Sequence, residues 1–346
     1  MNDVTVHAAA PLRISFVGGG TDFPHYFERH GSAVLSATID HFANVVATPR
    51  GDREVRIRSL DLGHIVEYRL DEGPTYDGVM DLAKAAIERV GADTGLEMAI
   101  TSDAPPGSGL GGSSALVTAV AAALAALGDR ALAPDQLARV AYAIEREDLG
   151  IAGGWQDQYA AAFGGFNLLE FSADGVAVTP LRLSPERLRE LRANLLLCYT
   201  GAARTDLGLI EAQIRMYREG REDTIVGMKH LHEMAYEMRD AIEAGELDLL
   251  GAMLQRAYEN KKLMNPHIAE GTPIDRLFEV ARSAGALGGK ICGAGGGGYL
   301  LLHCKPERQS EVRTALESRG GQFAEFAFHP SGVWARIGGR EWRPTP

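Results

Sequence analysis

The sequence predicts an α+β fold in two domains, and three observations lead to that prediction. The chain has 346 residues, 45% of them hydrophobic, enough for two cores at roughly 100–200 residues per domain. Strand-like and helix-like segments are mixed without the steady β-α alternation of a doubly wound sheet. Around Pro180 and Pro185 the chain changes from strand-rich to a run of consecutive helices. That places the boundary near residues 180–193 and divides the chain into 1–185 and 186–346.

Residues 5–17 and 32–48 are rich in β-branched and apolar residues and read as strands flanking a turn-forming segment from Gly18 to Gly31. Residues 53–59 and 64–70 read as a hairpin that turns near Asp61 to Gly63. Val79, Leu82, Ala86, Ile87 and Val90 recur at helical spacing. A strand at 96–101, a glycine-rich loop and a helix at 113–127 follow. The next helix, 134–148, opens with Pro134 in its first turn, stops at Gly150 and carries the apolar stripe Leu137, Val140, Ala141 and Ile144. In the second half, 206–219, 224–244 and 247–264 read as helices and 287–292 and 298–304 as strands. A helix at 307–318 and strands near 322–328 and 331–337 complete the chain.

Composition excludes several functions. Lys+Arg 35 against Asp+Glu 46 gives a net charge of −11, which opposes general binding of nucleic acid or anionic membrane. A phosphate site must therefore be local, built from backbone N–H groups, a few cations or a metal. Three cysteines without C-x-x-C spacing argue against a disulfide framework and against structural zinc. No basic segment followed by a long apolar one opens the chain, and the most apolar run, Leu116 to Leu127, is too short to span a bilayer. The expectation is a cytoplasmic protein. His230 and His232 lie two apart on a predicted helix and point to different faces, so they make no metal site.

Four segments could carry chemistry. In PPGSGLGGSSA, Pro105 to Ala115, four glycines in six positions let a backbone approach a ligand closely. Successive N–H groups there can form an anion nest at the start of a helix. A bare serine cap would need one glycine and one serine. The stretch Pro106, Gly107, Ser108, Gly109, Leu110, Gly111, Gly112, Ser113 and Ser114 thus reads as a phosphate loop, although no lysine follows as in a Walker A motif. In RISFVGGGTD, Arg13 to Asp22, a strand delivers a cation and a glycine turn delivers a carboxylate suited to sugar hydroxyls. In IEREDLGIAGGWQDQ, Ile144 to Gln158, Glu145 and Glu147 flank the apolar stripe on opposite sides and Asp148 falls near its centre. Periodicity does not choose a metal ligand among them. Asp157 follows two glycines at a predicted helix start. In KICGAGGGGYLLL, Lys290 to Leu302, five glycines between two strands exceed what a hairpin needs and imply close approach of a backbone or ligand.

In this order the segments resemble the GHMP kinases, the family of galactokinase, homoserine kinase, mevalonate kinase and phosphomevalonate kinase, over nearly the whole chain. PLRISFVGGGTD looks like the sugar-kinase form P-G-R-x-x-L-x-G-E-H-T-D, with Arg13 and Asp22 nine residues apart as in that form. Gly19 and Gly20 stand where galactokinases have Glu-His, which departs from a galactose site. Glu145 precedes Asp157 by the family's twelve residues. The resemblance implies an N-terminal domain with a left-handed β-α-β unit, a ferredoxin-like C-terminal domain and an active site between them. Within the family, VGGGTD, GLGGSS, GGWQDQYAAAFGG and NPHI look similar to a bacterial branch acting on heptose phosphates. That branch phosphorylates the anomeric hydroxyl of D-glycero-D-manno-heptose 7-phosphate, for nucleotide-activated heptose and surface polysaccharide. L-fucokinase domains share much of the pattern, and the family also includes non-catalytic sensors.

The roles implied by the resemblance are as follows. ATP and Mg²⁺ are the cofactors, with Ser113 and Glu145 as metal ligands and Ser114 as the neighbouring hydroxyl. Asp157 accepts or orients the proton of the sugar hydroxyl, and Arg13 stabilises that aspartate and the phosphoryl charge. Gly19, Gly20, Thr21, Asp22, Arg204, Lys290, Gly293, Gly295 and Gly296 hold the sugar. Arg204, Lys261, Lys262 and Lys290 are the candidates for a substrate phosphate. The expected partners are a small-molecule sugar phosphate and ATP, with no nucleic acid and no membrane. A homodimer is left open.

Overall fold

The computed structural model describes residues 4–201, 208–270 and 272–344. The first half runs β1 (Val6–Val17), α1 (Pro24–His30), β2 (Ser32–Pro49), β3 (Glu54–Ser59), β4 (Ile65–Arg69), α2 (Asp81–Val90), β5 (Leu96–Ser102) and α3 (Gly112–Leu127). It continues with α4 (Pro134–Ala143), α5 (Gln156–Phe163), β6 (Phe166–Ser172) and β7 (Gly175–Pro180). The second half holds α6 (Pro185–Ala193), β8 (Leu195–Tyr199), α7 (Leu209–Arg218), α8 (Glu222–Ala244), α9 (Leu250–Met264) and α10 (Ile274–Ser283). It ends with β9 (Gly288–Ile291), β10 (Tyr299–His303), α11 (Gln309–Glu317), β11 (Gln322–Ala324), β12 (Trp334–Ile337) and β13 (Arg340–Trp342).

Two sheets organise these elements. The larger has the order β13-β12-β1-β2-β5-β3-β4, with β6 on β2 and β7 on β6. The long β2 is its spine. Residues 32–37 pair with β6, residues 43–49 pair with β5, and β1 lies along its other edge. β3 and β5 are parallel and enclose β4 and α2 between them in sequence. The smaller sheet is antiparallel, β11-β8-β10-β9. α3 packs on β1 and β2; α8 packs on β2 and α9, and α9 on β9 and β10. The helices α8 and α9 therefore couple the two sheets.

The sequence and the structure part at identifiable places. The Gly18–Gly31 segment, read as a turn, contains α1, started by Pro24 and held by the buried Tyr26 and Phe27. The helix read as 134–148 is regular only to Ala143. From Ile144 to Asp148 it widens, with the Leu149 N–H donating to the Ile144 carbonyl five residues back. The hairpin β6–β7, the short buried β8 (LLLCY) and α10 are not predicted from the sequence; the apolar run of β8 is ambiguous between helix and strand, whereas α10 does carry a helical stripe in Ile274, Leu277, Phe278 and Ala281.

The expected division after residue 185 falls in the first turn of α6, and the last strands, β12 and β13, return to the larger sheet on the edge of β1. This return supports α5. Val333 N–H donates to the Ala161 carbonyl at 2.9 Å, and a Cβ at Gly332 would lie 2.1 Å from the Ala162 carbonyl oxygen. Gly332→Ala should therefore lower the unfolding free energy by about 1–3 kcal/mol, read from urea denaturation midpoints. An unchanged midpoint would show that α5 does not depend on this contact.

Candidate active site

A cleft of about 110 Å³ opens where β1, the glycine turn after it, the start of α5, α9 and β9 converge. Arg13 comes from β1 and is 4% exposed. Its Nε and Nη2 both reach Asp157 Oδ1, at 2.8 and 2.7 Å. Nη1 donates to the Gly109 carbonyl at 2.6 Å, and the backbone N–H of Arg13 to the Leu110 carbonyl at 2.9 Å. One residue thus joins the strand, the phosphate-loop candidate and α5.

The two glycine-rich stretches are packed against each other. The Tyr299 N–H donates to the Ser108 carbonyl at 3.0 Å. A Cβ at Gly109, where φ is +79°, would lie 2.7 Å from the Cys292 carbonyl carbon, and one at Gly293 would lie 2.5 Å from Gly109 Cα. This contact accounts for Gly109, Gly293 and Gly298, the last with Ser108 O 2.4 Å from where a Cβ would lie. The loop then enters α3 at Gly112, and the first N–H groups of that helix have no intrahelical acceptor.

Asp22 is buried and caps the start of α5. It accepts from Gly20 N–H at 3.0 Å, Gln156 N–H at 3.0 Å and Gln156 Nε2 at 3.2 Å. Burial raises its pKa above the usual carboxylate range. Lys261 and Lys290 are also buried in the lining and donate to the carbonyls of Gly293 and Ser15. Burial lowers the Lys261 pKa to about 7, helped by the charge of Lys290, and that of Lys290 to about 8. Arg146 completes the set. The cleft thus gathers Arg13, Arg146, Lys261 and Lys290 against Asp22 and Asp157.

Glu145 is fully buried on the widened turn, and burial raises its pKa. Ser114 Oγ donates to its Oε2 at 2.6 Å, and Gln158 Nε2 donates to the same oxygen. Of the three acidic residues only Glu145 meets Ser114; Asp148 and Glu147 pair with Arg89, at 2.5 and 3.2 Å.

Several expected positions fall elsewhere. The hydroxyl beside Glu145 belongs to Ser114; Ser113 is exposed. Consecutive helical residues differ by 100°, so only one of the two faces Glu145. Lys262 points away from the cleft, paired with Asp275 at 2.6 Å and over the Tyr258 ring. Thr21 closes its own turn through Gly18 O at 2.7 Å and Ser32 Oγ, and does not line the cleft. Gly295 is buried against Ile268, and Gly296 is likewise buried and outside the lining, whereas Gly293, Gly19 and Gly20 line it. Arg204 lies outside the described residues. Sequence reasoning missed Arg146 and Gln213, whose Nε2 donates to the Gly20 carbonyl at 2.6 Å.

Comparison with known proteins gives a consistent result. Residues 78–165 match the GHMP kinases N terminal domain and residues 238–322 the GHMP kinases C terminal domain. The chain is 33% identical to the D-glycero-alpha-D-manno-heptose 7-phosphate kinase of Campylobacter jejuni, over 98% of this chain and 99% of that protein. A crystal structure described as a D-glycero-D-manno-heptose 1-phosphate kinase from Bacteroides thetaiotaomicron matches with a TM-score of 0.80 at 30% identity, covering 99% of this chain and 100% of the other. A bifunctional fucokinase/GDP-fucose pyrophosphorylase of Arabidopsis thaliana is 29% identical over 91% of this chain but 31% of its own length.

The buried lysines have a measurable consequence. The unfolded chain keeps Lys261 protonated up to its ordinary pKa near 10.4, whereas the folded chain releases that proton at about 7. Between these values the unfolded state binds more protons, so folded stability rises with pH; below about 7 the full cost of the buried charge is present. Relative to Lys261→Met, the wild type should therefore gain up to about 1.4 kcal/mol per pH unit above pH 7. Parallel urea titrations from pH 6 to 9 measure the gain, and a constant difference would contradict it.

Proposed function

Because the chain belongs to the GHMP kinase family, we propose that it uses ATP and Mg²⁺ in the cytoplasm to phosphorylate the anomeric hydroxyl of D-glycero-D-manno-heptose 7-phosphate. The product is the 1,7-bisphosphate. The observation that carries this reading is the basic surplus of the cleft lining, Arg13, Arg146, Lys261 and Lys290 against Asp22 and Asp157, in a chain of net charge −11; an anion beside the two lysines favours their charged forms. An anionic acceptor balances that surplus and a neutral sugar does not. The name of the Campylobacter relative supports the same acceptor.

The residues divide the work by position. The free N–H groups at the start of α3, with the loop before it, hold nucleotide phosphates. Asp157 receives the acceptor hydroxyl and orients it or takes its proton. Arg13, bonded to both Asp157 and the Gly109 carbonyl, fixes that carboxylate beside the phosphate loop and offsets developing negative charge. The Ser114 hydroxyl and Glu145 carboxylate are hard oxygen donors that fit Mg²⁺ held by few protein ligands. Among the described residues no group of three His, Cys, Asp or Glu side chains could hold a metal instead. The ion, when bound, supplies charge neutralisation at the β- and γ-phosphates.

A turnover panel of heptose 7-phosphate, the same heptose without phosphate, L-fucose and D-mannose tests the reading, with the product's phosphate position read by ³¹P NMR. The phosphorylated heptose should lead in kcat/KM by at least about a hundredfold, since unpaired buried cations penalise the neutral sugar. Comparable values for heptose and heptose 7-phosphate would replace it with a neutral-sugar kinase. Asp157→Asn should lower kcat by roughly 10²–10⁴-fold while leaving nucleotide affinity unchanged; retention of a tenth of kcat would remove the assigned role. Glu145→Gln should raise the Mg²⁺ concentration needed for half-maximal rate, and an identical Mg²⁺ titration would exclude Glu145 as a ligand.

A further inference from the structure

Arg146 is the cleft cation to which no sequence motif gives a role. It stands on the widened turn beside Glu145, with its side chain 13% exposed. The guanidinium lies over the Tyr142 ring at 5.9 Å. Nη1 donates to the Ile151 carbonyl at 3.2 Å and Nη2 to the Gly154 carbonyl at 3.4 Å, long for a charged donor. Its Nε–H is buried and meets no acceptor among the described residues. Glu145 Oε2, at 3.9 Å, is beyond hydrogen-bond reach. The guanidinium is therefore fixed in place by a ring and two carbonyls without being fully hydrogen-bonded.

The loop before Asp157 is shaped around it. A Cβ at Gly153 would lie 2.3 Å from Arg146 Cζ and Nη2, and a Cβ at Gly154 would lie 2.0 Å from Asp22 Oδ2. The adjacent glycines of GGWQDQ thus leave room for one guanidinium and one carboxylate on the wall of the same cleft. Arg13 is already engaged by Asp157 and Gly109, whereas Lys261 and Lys290 donate once each, to Gly293 and Ser15, and keep further donors for the same anion. The buried Nε–H is closed to a ligand, so a ligand in the cleft meets the Nη groups, whose carbonyl bonds are long; that planar, permanently charged fork matches phosphate oxygens better than sugar hydroxyls. Its position also fits, because Glu145 ties this turn to Ser114 at the start of α3.

We propose that Arg146 is a phosphate-contacting residue of the cleft. The inference rests on the kinase reading above. The ligand chemistry is a phosphate oxygen, which the acceptor's own phosphate or the transferred γ-phosphoryl group can supply.

Arg146→Gln and Arg146→Lys test it against the wild type, through kcat and KM for heptose 7-phosphate and for unphosphorylated heptose. The Kd of the Mg²⁺ complex of a non-hydrolysable ATP analogue and the thermal midpoint are measured alongside. Arg146→Gln should lose at least about tenfold in kcat/KM. A KM increase confined to the phosphorylated acceptor assigns the contact to the acceptor's phosphate. A kcat loss with both acceptors at unchanged KM and thermal midpoint assigns it to the transferred group. Values within about threefold of wild type for both acceptors overturn the proposal. A uniform loss that follows a lowered thermal midpoint in both variants also overturns it, as the mark of a purely structural side chain. Should the wild type reject heptose 7-phosphate, the proposed acceptor is wrong, and the same arms run with whichever sugar it does phosphorylate still decide the role of Arg146.

Discussion

The ion pair between Arg13 and Asp157 is the contact on which the rest of the site depends. Arg13 sits in the middle of β1, inside the larger sheet, and Asp157 sits in the first turn of α5. The same guanidinium holds the Gly109 carbonyl. Because the arginine is almost wholly buried, its position is set by the sheet and not by its own flexibility. Two elements far apart in sequence and a loop with little internal structure are thereby referred to one rigid point. In a reaction whose catalysis is mostly positioning and electrostatics, that common reference matters more than any one group's acidity.

A second constraint acts through main-chain packing. The stretch around Ser108 and Gly109 is pressed against residues 292–298, one loop following β5 of the larger sheet and the other joining β9 to β10 of the smaller. Side chains at the contact would force the loops apart, so glycine is retained there for proximity. The phosphate-loop candidate is thus supported from behind by the second sheet, and the cleft exists only where the two sheets are held together by α8 and α9.

Much of this was legible in the sequence. The glycine loop between a strand and an apolar helix, the strand-borne Arg13 and the carboxylate after two glycines all lie in short segments whose local chemistry is self-explanatory. What escaped depended on helical phase or on distant partners. Ser113 and Ser114 are adjacent, and only the orientation of α3 against the widened turn decides which meets Glu145. At a regular 100° per residue Glu145 and Glu147 flank the apolar stripe and Asp148 falls near its centre, so period alone does not choose among them, and the widened turn that carries them is invisible to it. Lys261 and Lys262 are likewise neighbours, one buried in the cleft and one on the surface. The return of β12 to β1 joins residues more than 320 apart and leaves no local signature.

The cationic lining also bears on stability. Burying Lys261 and Lys290 with only carbonyl partners among the described residues is unfavourable, and the lowered pKa values of both lysines express that cost. Replacing them with apolar side chains would relieve it, so their presence is best explained by what they bind. An anion in the cleft restores a counter-charge to groups already held in position, so little side-chain ordering remains to oppose binding. Ligand binding to the folded state also raises stability by mass action. The net negative charge of the surface does not oppose this, since screening over roughly 8 Å at physiological ionic strength leaves a substrate at the cleft governed by the four nearby cations.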